Sequence, residues 1–313
     1  MSSVSAQPAV SVILCTYNPV MPVLEWAVES LRNQTLSAGE FEFILVDNNS
    51  EPSVQDQLRG LLPGLRPRII REFRQGLVHA RIAGIRAASA PLIVFVDDDN
   101  HLDPTYLDDA IAIARADPKI GCFGGETKGV LETSLPEWKV RLLPYVGVRD
   151  YGEDPITSAR DEWGEWEPIG AGMVCRKDVA EEFISLVENR PEAQRLGRAG
   201  RAAMSGEDSL IAHAAYRLGY LCSYQPRLKL SHWIKKRRTS LRSFARIVAG
   251  HGRSQAVLQT VKGRRVPRPA LVPAARHLAT RYYEHVLRDG LGVGTVKWCW
   301  EYGFIRESRR IGS

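Results

Sequence analysis

Leu92-Ile93-Val94-Phe95-Val96-Asp97-Asp98-Asp99-Asn100 decides the fold. Five apolar residues, mostly β-branched or aromatic, run straight into three consecutive carboxylates. A continuous apolar run of this kind predicts a strand buried on both faces. The acids then fall at its C-terminal end, where open α/β sheets place their ligands. Three adjacent acids repel one another unless something positive sits among them. Solvent or a nearby Arg meets that need, and so does a divalent cation held together with a phosphate.

The flanking chain repeats the design. Val10 to Cys15 is a short apolar run ending at the turn signal Thr16-Tyr17-Asn18-Pro19. Leu24, Ala27, Val28 and Leu31 recur at helical spacing. Phe41 to Val46 predicts a second strand, ending at Asp47-Asn48-Asn49-Ser50, and Pro67 to Arg71 a weaker third. Gly76 opens a helix to about Ala88, ahead of the strand that follows Pro91. Strands alternating with helices predict a parallel, doubly wound sheet. An acid after the second strand suits a ribose or base. No GxGxxG follows the first strand and no GxxxxGK[ST] occurs, so no glycine loop cradles phosphates.

Beyond Leu102 the pattern predicts a helix from Pro104 to about Ala116 and a strand over Ile120 to Gly125. Glu126 to Glu167 is irregular, with Trp138, Trp163 and Trp166, and reads as a substrate loop or as a surface insertion. Pro168 to Cys175 returns to strand-like sequence, and a helix follows from Asp178. Another begins at Ser205-Gly206-Glu207-Asp208, with Ser205 as its N-cap. Leu228 to Ser231 predicts a short strand ending at His232-Trp233.

Composition sets outer bounds. With 44% hydrophobic and 25% charged residues in 313, the chain has ordinary globular composition. Five scattered Cys without CxxC spacing argue against a disulfide framework or a zinc site. No signal-peptide pattern and no bilayer-spanning apolar run are seen, which sets a cytoplasmic expectation. Charge is divided unevenly. From Arg227 onward 20 Lys and Arg stand against 4 Asp and Glu, a net of +16, which leaves −10 on the first 226 residues. Such a basic tail suits nucleic acid, anionic lipid or a pyrophosphate-bearing substrate.

Together, Cys15-Thr16-Tyr17-Asn18, Val46-Asp47-Asn48-Asn49-Ser50, Gly76-x-x-x-Ala80-Arg81, Phe95-Val96-Asp97-Asp98-Asp99, Gly206-Glu207-Asp208 and His232 resemble an inverting family 2 glycosyltransferase. The resemblance covers roughly Val10 to Trp233. It implies an α/β GT-A nucleotide-diphospho-sugar transferase fold, with a Rossmann-like, mostly parallel sheet. A flexible N-terminus over 1–9, a catalytic domain over 10–233 and a basic, mainly helical extension over 234–313 complete the expected chain.

The same resemblance implies a hexosyltransferase that uses Mn²⁺ or Mg²⁺. Cys15, Thr16, Tyr17, Asn18, Asp47, Asn49, Gly76, Arg81, Asp97 and Asp98 would bind the nucleotide sugar, with Asp47 accepting from the base, usually uracil. Asp99, Asp97 and His232 are the implied metal positions, and Asp208 is the implied general base. Glu207, Gly170, Ala171, Gly172, Trp163 and Trp166 would meet the sugar or acceptor. The implied partners are a UDP-sugar and a saccharide or polyprenyl-linked acceptor, in surface polysaccharide or glycoconjugate synthesis.

The tail carries Leu241, Phe244, Ala245 and Val248 at helical spacing among arginines. This predicts either an anionic membrane contact through 234–260, on the inner face of the cytoplasmic membrane, or a helix packed on the protein. A metal-dependent nucleotidyl or phosphoryl transferase is a rival reading that predicts the missing phosphate loop. A nucleic-acid-binding protein is a second rival, disfavoured because it leaves the strand-end acids and Asp208 unexplained.

Overall fold

The computed structural model describes residues 7–58, 64–197 and 204–311. Most of the N-terminus expected to be flexible, residues 1–6, lies outside them. The strands are β1 (Val10–Thr16), β2 (Phe41–Asp47), β3 (Arg68–Arg71), β4 (Leu92–Asp97), β5 (Asn100–Leu102), β6 (Ile120–Leu131), β7 (Ile156–Ser158), β8 (Val174–Arg176) and β9 (Leu221–Ile234). The helices are α1 (Met21–Arg32), α2 (Val54–Gln57), α3 (Leu77–Ala87), α4 (Tyr106–Ala116), α5 (Glu137–Val140), α6 (Lys177–Asn189), α7 (Glu207–Arg217), α8 (Leu241–Val261) and α9 (Leu271–Ile311).

The strands join one sheet in the order β3-β2-β1-β4-β8-β6-β9-β5, with β7 paired to β9. β3, β2, β1 and β4 are parallel, and β8 runs antiparallel to β4. Every residue of β1 is buried, as a central parallel strand covered on both faces requires. Leu24, Ala27, Val28 and Leu31 form the buried face of α1, so the helical spacing read from the sequence is the packing face. The chain leaves β1 toward β2 on one side and reaches β4 on the other. The C-terminal ends of β1 and β4 therefore flank the reversal of strand order, where such sheets open a crevice.

The elements departing from expectation are long-range ones. β6 runs to Leu131, well past Gly125, and β9 spans 14 residues from Leu221 rather than four. Of Pro168 to Cys175 only the last two residues join β8; Gly172, with φ of 70°, turns the chain beforehand. α7 begins at Glu207, and Gly206 ahead of it has φ of 106°. Gly206 rather than Ser205 thus takes the N-cap position, and the Ser205 amide donates to Ser254 Oγ.

Two compact units form. One takes the described residues of Met1–Lys128, Arg149–Ser185 and Asp208–His232; the other takes those of Gly129–Val148, Leu186–Glu207 and Trp233–Ser313. Residues 129–148 and the described part of 186–207, expected within a 10–233 domain, thus fall in the unit that holds the C-terminal helices. For 129–148 the reason is apolar: Leu142, Leu143 and Val146 share a buried cluster with Ile234, Phe244, Val248, Val293 and Val296. Of the apolar stripe of α8, Phe244 and Val248 are fully buried in that cluster, Ala245 is half-buried and Leu241 is exposed. No helix among the described residues is long and apolar enough to cross a membrane.

Candidate active site

The site is built at the ends of β1, β2 and β4. Parallel register sets Cys15 beside Asp97 and Thr16 beside Asp47. Each carboxylate of the triple run then has its own partner. Asp97 Oδ1 lies 3.9 Å from Nη2 of Arg81, whose guanidinium also covers the Phe95 ring at 5.0 Å. The Thr16 hydroxyl donates to Asp98. Asp99 Oδ1 accepts from Asn100 Nδ2 at 3.3 Å, and its Oδ2 lies 3.5 Å from His232 Nε2. Asn100 is fully buried, accepts the Asp97 amide at 3.1 Å and pairs in register with His232 across β5 and β9. Arg81, 1% exposed, is the positive charge that three adjacent acids demand.

Asp47 stands at the end of β2. It is 1% exposed, and its two oxygens accept the amides of Ser50 at 2.8 Å and Val54 at 3.1 Å. The carboxylate thus ties down the loop after β2. Its neighbour Asn48, absent from the candidates, is the hub of this corner. It accepts the Gly76 amide at 2.8 Å and donates to the Glu72 and Arg74 carbonyls. Asn18 (φ 45°) and Asn49 (φ 65°) occupy the left-handed region that Asn tolerates better than most residues. Asn49 accepts from Arg71 Nη2, and the Asn18 amide donates to Ser50 Oγ. The Tyr17 ring is exposed beside them.

Asp208 is the second residue of α7. Its Oδ2 accepts the Gly170 amide at 3.3 Å and its Oδ1 the Ser209 amide at 2.9 Å. A Cβ on Gly170 would stand 2.4 Å from Arg81 Nη2. Gly170 therefore joins the two halves of the site: Asp97 to Arg81, Arg81 to Gly170, Gly170 to Asp208. At Gly172 an added Cβ would meet Tyr106, whose hydroxyl donates to the Gly172 carbonyl. On the side a Cβ would take, Gly170 faces Arg81, and Gly172 faces Leu230 and Tyr106; Ala171 between them is buried.

A brace behind Asp208 escaped the sequence reading. Ser209 Oγ donates to Glu167 Oε1, while Arg149 donates to the carbonyls of Glu167 at 2.7 Å and Glu165 at 2.6 Å. Arg149 is buried with Tyr151 and Tyr224 rings 4.8 and 5.6 Å from its Cζ. Burial lowers its pKa, offset by Tyr151, Tyr224 and Glu167. A guanidinium, always charged in proteins, suits such a place. Trp166 donates to Tyr216 and carries Arg160 over its ring at 4.4 Å, so that face is closed to a sugar. Trp163, 60% exposed, remains open. Glu207 is buried and belongs to the other unit.

Among the described residues no group of three or more His, Cys, Asp or Glu side chains is placed to hold a metal. Asp99 and His232 nevertheless present a hard oxygen and an imidazole nitrogen 3.5 Å apart. Few protein donors are the rule where substrate phosphates and water complete the shell of Mg²⁺ or a similar ion. The residues present fit that kind of site.

A parallel β3-β2-β1-β4 core, antiparallel strands added beyond β4 and acids at the strand ends define a GT-A-type glycosyltransferase fold. Residues 11–184 match the family described as Glycosyl transferase family 2, and the chain belongs to that family. Validoxylamine A glucosyltransferase of Streptomyces hygroscopicus subsp. jinggangensis is 30% identical over 155 residues, 47% of this chain and 36% of that protein. Polypeptide N-acetylgalactosaminyltransferase 9 of Homo sapiens is 31% identical over 122 residues, 37% of this chain and 20% of that one. The chain thus spans 36% and 20% of the lengths of these two relatives. The crystal structure of GalNAc-T7 with UDP, GalNAc and Mn²⁺ superposes with a TM-score of 0.52 at 16% identity, covering 80% of this chain and 51% of that one.

Proposed function

We propose that the protein transfers a hexosyl unit from a nucleotide-diphosphate sugar, most simply a UDP-sugar, to a hydroxyl of a saccharide or lipid-linked acceptor, with inversion. The observation carrying this reading is the chain of contacts Asp97, Arg81, Gly170, Asp208, which sets a carboxylate base beside an acid-and-arginine cluster. The relatives named above are glucosyl- and N-acetylgalactosaminyltransferases, which supports a hexose donor.

In this reading Cys15, Thr16, Tyr17, Asn18, Asn49 and Gly76 frame the nucleoside, with Tyr17 available to stack on the base. Asp47 contributes through the loop it holds. Asp97 and Asp98 orient the ribose and bound water, while Arg81 balances their charge. Asp99 and His232 would hold Mn²⁺ or Mg²⁺, which when bound supplies positive charge at the diphosphate. Asp208 takes the acceptor proton as the hydroxyl oxygen bonds to the anomeric carbon and the bond to the diphosphate breaks. A single displacement needs no enzyme nucleophile. Trp163 offers an apolar face to the acceptor, and the product fits surface polysaccharide or glycoconjugate assembly.

Attachment to an anionic membrane through 234–260 would proceed without Phe244 and Val248, which are spent in the protein core, and with Leu241 as the exposed member of the stripe. The test of the activity is product formation from UDP-, GDP- and dTDP-sugars with Mn²⁺. Tight UDP binding with donor-dependent glycan transfer is expected; no nucleotide binding in any metal would overturn the reading.

A further inference from the structure

The second unit leaves one apolar helix face uncovered. Up to the break at Gly290 (φ 80°), α9 turns Ala274 and His285 inward. Its opposite face carries Val272, Ala275, Ala279, Tyr283 and Leu287, all exposed. Leu291 continues it past the break. These positions recur at helical spacing over about 22 Å. Leu287 is 86% exposed and Tyr283 67%, far more than scattered surface apolar residues require.

Charge says what covers this face. Between Lys262 and Leu291 seven Lys and Arg stand against two acids, and one of those, Asp289, is satisfied by Lys297 and Arg288. Arg276 sits on the apolar face itself, and Arg264, Arg265 and Arg268 are exposed just ahead of the helix. A second copy of the chain would bring these arginines against their own equivalents. A nucleic acid would neutralise them but leave Leu287 and Val272 in water. An anionic lipid surface meets both demands: headgroups pair with Arg265 and Arg276 while Leu, Val and the amphipathic Tyr enter the boundary layer.

We propose that the exposed face of α9, Val272 to Leu291, docks the protein on an anionic membrane surface. The test is sedimentation of the full chain with phosphatidylglycerol–phosphatidylcholine vesicles and with phosphatidylcholine alone. Binding to the former only is expected, weakened at least about tenfold by Tyr283→Glu with Leu287→Glu and similarly by the uncharged pair Tyr283→Ser with Leu287→Ser. Both side chains are exposed, and unchanged circular dichroism verifies folding. Failure of the wild type to sediment, or unaltered binding of both variants, overturns the proposal. So does a wild-type dimer that the variants convert to monomer by light scattering. Binding is read without turnover, so Asp208→Asn sediments like wild type whatever becomes of the proposed activity.

Discussion

His232 Nε2 lies 3.5 Å from Asp99 Oδ2, although 132 residues of chain separate them. Antiparallel pairing of β5 with β9 makes this contact, by setting Asn100 opposite His232. Asn100 then holds Asp99 from the other side through its amide. The relationship turns a strand-end acid into half of an oxygen–nitrogen donor pair.

Asp99→Ala is expected to remove Mn²⁺-dependent transfer while leaving the fold intact, and EDTA to do the same to wild type. Asn100→Ala leaves both donors in place but loosens Asp99. It should weaken Mn²⁺ binding by about 10–100-fold, as lost outer partners of metal ligands do. Calorimetric titration of Mn²⁺ in the presence of UDP measures it, and wild-type affinity in both variants would refute the metal role.

Asp208→Asn should lower kcat by about 10²–10⁴, the usual share of a general base, with donor binding nearly unchanged. Initial-rate kinetics beside UDP titration separate the two effects. Wild-type kcat would remove Asp208 from the base role.

Ser209→Ala severs the hydroxyl from buried Glu167. A hydrogen bond to a charged group is worth about 1.5–3 kcal/mol, so Tm should fall in urea- or heat-unfolding experiments. If the brace also positions Asp208, kcat falls while donor KM holds, and Ser209→Thr restores part of it. A purely structural brace moves Tm alone.

Gly170→Ala would drive a methyl to 2.4 Å from the buried Arg81 guanidinium. Overpacking of this kind costs about 1–3 kcal/mol, and Arg81 has little room to retreat. Donor KM should rise and kcat fall together, because the displaced group links Asp97 to the Asp208 side. An unchanged donor KM would separate Arg81 from the donor.

Gly252→Ala probes the packing of α8 on α9. Its Cβ would stand 2.0 Å from the Trp300 carbonyl oxygen, and one on Gly303 would meet the Ala249 carbonyl at 2.0 Å. Backbone, not a flexible side chain, is the obstacle at both positions. Either substitution should cost about 1–3 kcal/mol or more, read as a lower Tm.

Much of the sheet is legible from local pattern. Leu92 to Val96 is apolar without interruption, and Val10 to Cys15 and Phe41 to Val46 are broken only by Ser11 and Glu42, because the faces of these strands are covered. The triple aspartate marks its own place, since acids following such a run emerge at the crevice. Asn48, Arg149 and Glu167 were not legible. Asn48 reads as one more turn residue, and the other two lie in a segment with neither helical nor strand periodicity. The hydrogen bonds that give them work come from residues distant in the chain. The tail left two readings open, a membrane-facing stripe or a packed helix, and local spacing cannot separate them: α9 and Leu142 to Val146 bury Phe244 and Val248.

The sequence by itself determined the strand–helix alternation, the parallel core and the acids at its edge, because these follow from period, turn chemistry and the need to bury apolar runs. Tertiary structure alone decided which acid gained which partner. Arg81 reaches Asp97 from α3, Thr16 takes Asp98 from β1, and His232 meets Asp99 across β9. It also chose which apolar helix face was covered and which was left in solvent. Register between distant strands and the closeness of packed helices set these outcomes, and neither is written in any local window of residues.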